Sequence, residues 1–305
     1  MNEKIYDIII VGGGCAGLTA AVYARRAERS VLVLENNAFG GQIAYSPEVE
    51  NFPGFMKISG LEFSDRLYSQ AKQLGAEFEI DNAAEIKTDG EYKTVITDYG
   101  EYKCRAVIIA TGLTHRKTGL ENEEKLTGHG ISYCAVCDGA FFKDKDVAVY
   151  GGGNTAVSDA LFLSDICESV TVVHRRAEFR ADTILSEKLR KKSNIRYELS
   201  SEITALCGKS SLQKITVCNK LTGENKDIAV AALFVAIGFL PQNNICKGIV
   251  DLDEWGFIKA GEDCTTSCPG VFAAGDCRTK SLRQLTTAAA DGAAAATAAC
   301  KYIQY

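Results

Sequence analysis

The chain has 305 residues, 46% hydrophobic and 24% charged, with a formal net charge of −5; that length exceeds what one core usually serves and predicts two domains, while the composition excludes a fibre or a disordered chain. The acidic balance argues against a nucleic-acid surface, and the longest apolar runs, such as Ile8 to Val11 and Ile228 to Ile237, are far short of a membrane span. The amino terminus carries Glu3 and Asp7 and does not resemble a signal peptide, so a cytoplasmic location is expected, where most of the twelve cysteines stay reduced and only closely spaced pairs carry a chemical reading.

The first elements form a βαβ unit: an apolar strand at Asp7 to Val11, glycines at 12 to 14, a helix from Leu18 to Glu28 and a second strand at Ser30 to Leu34. Gly12, Gly14 and Gly17 then read as a G-x-G-x-x-G turn. Such a turn lets the backbone approach a pyrophosphate and points helix N–H groups at its charge. Glu35, at the end of the second strand, is placed to accept hydrogen bonds from ribose hydroxyls. A tight strand-to-helix turn without a ligand is the plainer alternative.

Before the middle of the chain, Val107 to Gly112 (VIIATG) closes a strand with a small-residue turn, and Leu113 to Lys117 reads as a linker. Cys134-Ala135-Val136-Cys137-Asp138 follows. In a reducing compartment beside a βαβ pattern, C-x-x-C reads as a redox dithiol, and Asp138 is placed to shuttle a proton to or from the thiol pair. Structural zinc stays open as an alternative; its second ligand pair would be Cys264 and Cys268, which are distant and have no matching histidines.

The βαβ pattern then recurs, with a strand at Asp146 to Tyr150, glycines at 151 to 153, a helix at Val157 to Ile166 and a strand at Ser169 to Val173. This copy carries Gly151, Gly153 and Ala156 at the turn, but its second strand ends in His174, Arg175 and Arg176, with Arg180 following. A carboxylate there would repel a 2′-phosphate, whereas guanidinium groups bind one bidentately, so NADP is favoured over NAD. A solvated basic helix start is the bland reading of the same residues.

The second copy closes at Phe234 to Gly238, Phe239 to Asn243 is a second linker, and Gly270 to Cys277 (GVFAAGDC) forms a strand and glycine turn before an alanine-rich helix from about Leu285 to Tyr302. This tail is expected to rejoin the first domain. The fold class is therefore α/β, with two Rossmann-like three-layer dinucleotide-binding domains, the second inserted in the first: residues 1–113 and 243–305, and residues 114–242.

Together, GGGCAG at 12 to 17, GGQ at 40 to 42, CAVCDG at 134 to 139, GGGNTA at 151 to 156, HRRAEFRA at 174 to 181, GVFAAGDC at 270 to 277 and RQL at 283 to 285 resemble the low-molecular-weight thioredoxin reductase family across nearly the whole chain. The resemblance implies FAD in the discontinuous domain, held by Gly12, Gly14, Cys15, Ala16, Gly17, Glu35, Gly40, Gly41, Gln42, Asn51, Ala110, Thr111, Gly112, Gly275, Asp276, Arg283, Gln284 and Leu285. It implies NADPH in the inserted domain, at Gly151, Gly153, Asn154, Thr155, Ala156, His174, Arg175, Arg176, Arg180, Ile237 and Gly238. Cys137 becomes the thiol next to the flavin, Cys134 the thiol that attacks a partner disulfide, and Asp138 the acid.

The implied activity is reduction of thioredoxin or a similar small dithiol protein by a homodimer, with no metal, nucleic acid or membrane involved. A glutaredoxin-like or peroxiredoxin-linked carrier is the alternative inside this class, and a non-catalytic nucleotide-binding zinc protein the alternative outside it. Dithiol and NADP fingerprint share one domain yet must meet one flavin, so rotation of the inserted domain on its linkers is expected. Two positions depart from the family: Cys15 stands where many relatives carry proline, and Cys277 directly follows the Gly-Asp pair. Both are expected to be small buried residues, and the cysteines at 104, 167, 207, 218, 246 and 300 are expected to be packing residues.

Overall fold

The structure, a computed structural model, describes residues 4–46 and 49–304. It divides into two compact units, Met1–Thr114 with Leu240–Tyr305, and His115–Phe239. The second unit is inserted in the first.

In the first unit, parallel strands Glu77–Ile80, Val31–Glu35, Ile5–Val11 and Glu101–Ile109 lie side by side in that order. The far edge of Glu101–Ile109 is shared between Tyr92–Thr97, which pairs antiparallel and leads to Ala83–Asp89, and Val271–Ala273, which pairs parallel. Runs such as Ile8 to Val11 and Leu32 to Leu34 are apolar without alternation because both faces of the sheet are covered. Ile8, Ile10, Val33 and Ile108 meet the helices Cys15–Arg26 and Leu285–Gln304 on one face, while Ile9, Val11, Leu34 and Ile109 meet Ile86, Val95 and Ile258 on the other. Each fully buried isoleucine contributes on the order of 2 kcal/mol.

The inserted unit repeats this plan with parallel strands Ile195–Leu199, Ser169–His174, Asp146–Tyr150, Ala232–Val235 and Ile131–Ser132, in that order. A three-stranded antiparallel sheet, Ser201–Cys207, Lys214–Asn219 and Asn225–Ala229, covers one face, and the helix Asn154–Ser164 packs on the other. The copies match bond for bond at their turns. Gly12 N–H donates to Leu34 O and Gly151 N–H to Val173 O; Ala110 N–H donates to Val11 O and Ala236 N–H to Tyr150 O.

Two expectations need correction. The helix read from Leu18 begins at Cys15, and the one read from Val157 begins at Asn154. Their first turns are built of residues too small to register as an apolar stripe, and Gly17 lies inside the helix because a side chain there would overlap the Gly12 carbonyl. The expected linkers carry short strands: Leu113–His115 pairs with Phe239–Pro241, and Gln242 Nε2 donates to Thr114 Oγ1 at 2.6 Å.

Candidate functional site

The first cradle lies where the strand order reverses, at the carboxyl ends of Ile5–Val11 and Glu101–Ile109, which is where open α/β sheets bind ligands. Gly12, at φ +110°, faces the Ala110 carbonyl so closely that a side chain would overlap it. Gly14 starts the helix in an extended conformation and caps it with no side chain, which leaves first-turn N–H groups to an outside acceptor. Gly40 N–H donates to Gly13 O at 2.8 Å, and Gly41 packs directly on Gly14, so 12–17 and 40–42 form one backbone surface. Glu35 is fixed at its rim, accepting from Gly13 N–H at 2.7 Å and Asn37 N–H at 3.2 Å.

Other residues expected to serve this unit have partners of their own. Gln42 Nε2 donates to the Leu113 carbonyl, and Asn51 Nδ2 donates to Gln284 Oε1 at 3.0 Å. Thr111 Oγ1 donates to Asn243 Oδ1 at 3.1 Å, and Gly112 carries φ +64°. The Cys15 thiol, beside Ala16 in the first helical turn, points at Leu285 O and is pushed up to about 11 by burial. Cys277 is fully buried and pushed up by burial to about 11, so both departures from the family pattern are neutral thiols in packed surroundings.

Gly275, with φ +81°, allows the turn that carries Asp276. Asp276 Oδ1 is buried with no partner among the described residues, and burial raises the carboxyl above its ordinary range against the opposing pull of Lys280 and Arg283. An orphaned buried acceptor beside an uncapped helix start fits a dinucleotide with a polyol chain. Arg283 Nε reaches toward Asp276 O while its guanidinium lies 4.3 Å over the Phe257 ring.

Behind this turn sits a cluster that sequence reasoning missed. Asp291 accepts from Arg278 at 2.6 and 2.8 Å, from Lys280 Nζ at 2.8 Å and from Gly275 N–H at 3.0 Å, with all three side chains nearly excluded from solvent. The available signal was an acidic residue alone in an alanine helix, which must be either exposed or paired.

The second cradle repeats the first at the carboxyl ends of Asp146–Tyr150 and Ala232–Val235. Gly151 leaves no room for a side chain against the Ala236 carbonyl, and Gly153, the uncapped start of the helix Asn154–Ser164, opens into free space. Ala156 is packed beneath Gly151, whereas Thr155 is exposed. Arg175, Arg176 and Arg180 are exposed with no ion-pair partner among the described residues, and Arg180 N–H donates to Gly152 O at 2.7 Å. These free guanidinium groups beside a helix start fit a phosphorylated dinucleotide.

His174 differs from its basic neighbours. It is buried under Gly152, stacks on Phe179 at 5.8 Å and leaves Nε2 without a partner among the described residues. Burial, reinforced by the arginines, lowers its pKa. Ile237 is half-buried, and Gly238, at φ +110°, accepts from Arg116 N–H at 2.9 Å.

The redox turn belongs to the same unit. The short helix Ala135–Asp138 follows the edge strand Ile131–Ser132, separated from Asp146–Tyr150 by one strand, so this turn and the second cradle leave the same sheet. Cys134 is half-buried and disulfide-bonded. The side chain of Cys137 lies outside the described ones, as therefore does the expected 134–137 pairing. Ala135 is buried, and Gly139 seats against Leu163, which fixes the turn on the helix Asn154–Ser164. Asp138 Oδ2 accepts from Ser132 Oγ at 2.6 Å.

Next to the turn, Tyr133 donates to the buried Glu123 at 2.7 Å. Burial raises the Tyr133 pKa, and the Glu123 carboxylate adds to the effect. Burial opposes the charge on Glu123, but backbone donors at Thr118 and Gly119 and the Tyr133 hydroxyl outweigh it and hold the carboxyl below its ordinary value. Nothing in sequence spacing pointed to Ser132 or Glu123. The cysteine pair considered for zinc is differently used: Cys264 is buried and donates to Asp291 O at 3.4 Å. Among the described residues, no group of three His, Cys, Asp or Glu is placed to hold a metal.

Two nucleotide cradles and a disulfide-bonded cysteine at the entrance to a short helical turn define a nucleotide-dependent oxidoreductase that acts on disulfides. The sequence pattern of the pyridine nucleotide-disulphide oxidoreductases matches residues 6–292, and the chain belongs to that family. It is 42% identical over 304 residues to a thioredoxin reductase of Listeria innocua, covering 99% of this chain and 95% of that one. It is 41% identical to a thioredoxin reductase of Bacillus subtilis over 99% and 96% of the two chains. The crystal structure of Lactococcus lactis thioredoxin reductase superimposes with a TM-score of 0.87 at 39% identity, over 98% of this chain and 99% of that one.

Proposed function

We propose that the chain is an NADPH-dependent thioredoxin-disulfide reductase, with FAD in residues 1–113 and 243–305 and NADPH and the dithiol in residues 114–242. The observation that carries this reading is the disulfide at Cys134, held on a turn that leaves the same sheet as a nucleotide cradle. When bound, FAD supplies a two-electron relay between a nicotinamide and a disulfide.

The chain's own residues do the rest. The glycine surfaces at 12–17 with 40–41 and at 151–153 admit pyrophosphate to the backbone, Glu35 takes ribose hydroxyls, and Arg175, Arg176 and Arg180 take a 2′-phosphate. Once reduced, Cys134 attacks the carrier disulfide as a thiolate: the carrier S–S bond breaks, a Cys134–carrier bond forms, and the leaving sulfur takes a proton. Cys137 then attacks the Cys134 sulfur, which restores the chain's disulfide and releases the second carrier sulfur. The carrier gains two electrons and two protons, and Asp138 is the group beside the pair that moves protons. A homodimer and a cytoplasmic setting belong to the same reading and rest on the family likeness; among the described residues no helix is long and apolar enough to cross a membrane.

The test is a yellow holoenzyme reduced anaerobically by NADPH at far lower concentration than by NADH. Cys134→Ser should retain that reduction and lose transfer to thioredoxin. Transfer at the wild-type rate by the variant would reject the assignment.

A further inference from the structure

The hydroxyl of Ser132 meets three polar atoms of the redox turn. Asp138 Oδ2 lies at 2.6 Å, Cys134 N at 3.0 Å and Cys134 O at 3.2 Å. Ser132 is 5% exposed, so water is not a ready substitute for any of the three. Asp138 N–H also donates to Cys134 O at 3.2 Å, closing the turn from the other side.

A hydroxyl offers one proton and two acceptor sites. The Cys134 N–H can only donate, so it occupies one acceptor site permanently. With Asp138 ionised, the serine proton goes to Oδ2, and 2.6 Å is the separation of a charge-assisted O–H···O⁻ bond. With Asp138 protonated, the carboxyl O–H donates into the second acceptor site at the same separation, and the serine proton turns to Cys134 O. In either state the serine proton has an acceptor, so the turn keeps its hydrogen bonds when the carboxyl proton moves.

From this we infer that Ser132 is the positioning residue for Asp138: it pins the carboxyl to the Cys134 backbone and re-aims its single proton as Asp138 loses and regains one. The inference rests on Asp138 acting as the acid of the proposed reaction. Threonine carries the same hydroxyl, and alanine removes it while keeping the backbone.

The experiment compares the holoenzymes S132A, S132T, D138N and S132A/D138N, measuring thioredoxin reduction and, separately, anaerobic reduction of the enzyme's flavin by NADPH. S132A should lower kcat for thioredoxin about tenfold, a part of the hundredfold or more that a positioned acid supplies, with KM for NADPH and flavin reduction unchanged. S132T should recover to within about twofold of wild type. D138N should be slower than S132A, and the double variant no slower than D138N, because both changes remove one device. If S132A does not fold, S132G replaces it with the same expected order.

Wild-type kcat in S132A alongside a slow D138N would overturn the role of Ser132 alone. So would a double variant slower than D138N by the full factor of S132A, the result a general loosening of the turn gives. D138N at the wild-type rate would overturn the acid assignment and the inference with it.

Discussion

Asn154 and Asp182 hold each other reciprocally: Asn154 Nδ2 donates to Asp182 Oδ2 at 3.0 Å, and Asp182 N–H donates to Asn154 Oδ1 at 2.8 Å. The pair ties the first residue of the helix Asn154–Ser164 to the end of the loop that carries Arg175, Arg176 and Arg180. It therefore sets the spacing between the two parts of the second cradle that grip phosphate, the helix start and the guanidinium groups.

Asp182→Ala keeps the backbone donor and removes the side-chain half of this pair. A hydrogen bond of this kind is worth about 0.5–1.5 kcal/mol, so KM for NADPH should rise about two- to tenfold with kcat little changed. KM for NADH, which has no 2′-phosphate for the loop to grip, should stay near its wild-type value. Steady-state assays with both nucleotides check this, and an equal rise for the two would show that the arginine loop keeps its place without Asp182.

Asp291 answers to two cations at once, which makes its removal costly. In Asp291→Asn, Arg278 and Lys280 remain buried with their shared charge partner gone, and breaking such a buried cluster costs about 3–5 kcal/mol. Burial pushes the Asp291 carboxyl up, but hydrogen bonds from Arg278 and Lys280 outweigh it and hold the pKa below the ordinary range. A carboxylate depressed in the folded state contributes stability that is complete above its unfolded pKa, about 4, and is lost as pH falls through the folded value. Asp291→Asn should thus lower the thermal midpoint at pH 7 and show less further loss than wild type below pH 4. Parallel curves for the two proteins from pH 7 to pH 3 would contradict this.

Much of the fold is legible in the sequence because its constraints are written in single residue types. Gly12 and Gly151 must be glycine where a strand turns against a neighbouring carbonyl, and runs such as Ile8 to Val11 are uninterrupted because both faces of the sheet are covered. These signals occur twice along the chain, and that recurrence alone marks two units. Helix starts are harder to read, since Cys15, Ala16 and Asn154 carry no apolar stripe. The supporting residues are not legible for a different reason. Ser132, Asp182 and Asp291 act through side-chain hydrogen bonds whose partners are chosen by the chain's path in space, and a serine or aspartate has many plausible partners until that path is known.

Asp276 offers a pH test of the first cradle. Its buried Oδ1 has no partner among the described residues, and burial raises its pKa. A polyol hydroxyl donating to that oxygen would stabilise the ionised form, so the carboxyl pKa should fall on binding. With the pKa higher in the free protein than in the bound one, binding releases a proton, and FAD affinity should increase as pH rises through the raised value and level off above it. Asp276→Asn removes the titrating group. A hydrogen bond to a charged acceptor is worth about 1.5–3 kcal/mol, so the variant should bind FAD roughly 10- to 100-fold more weakly at pH 7, with little pH dependence. Fluorescence titration of the FAD-stripped protein between pH 4 and pH 8 measures both. A wild-type affinity flat across that range, or a variant that keeps the wild-type slope, would mean that this orphaned oxygen is not where the cofactor is recognised.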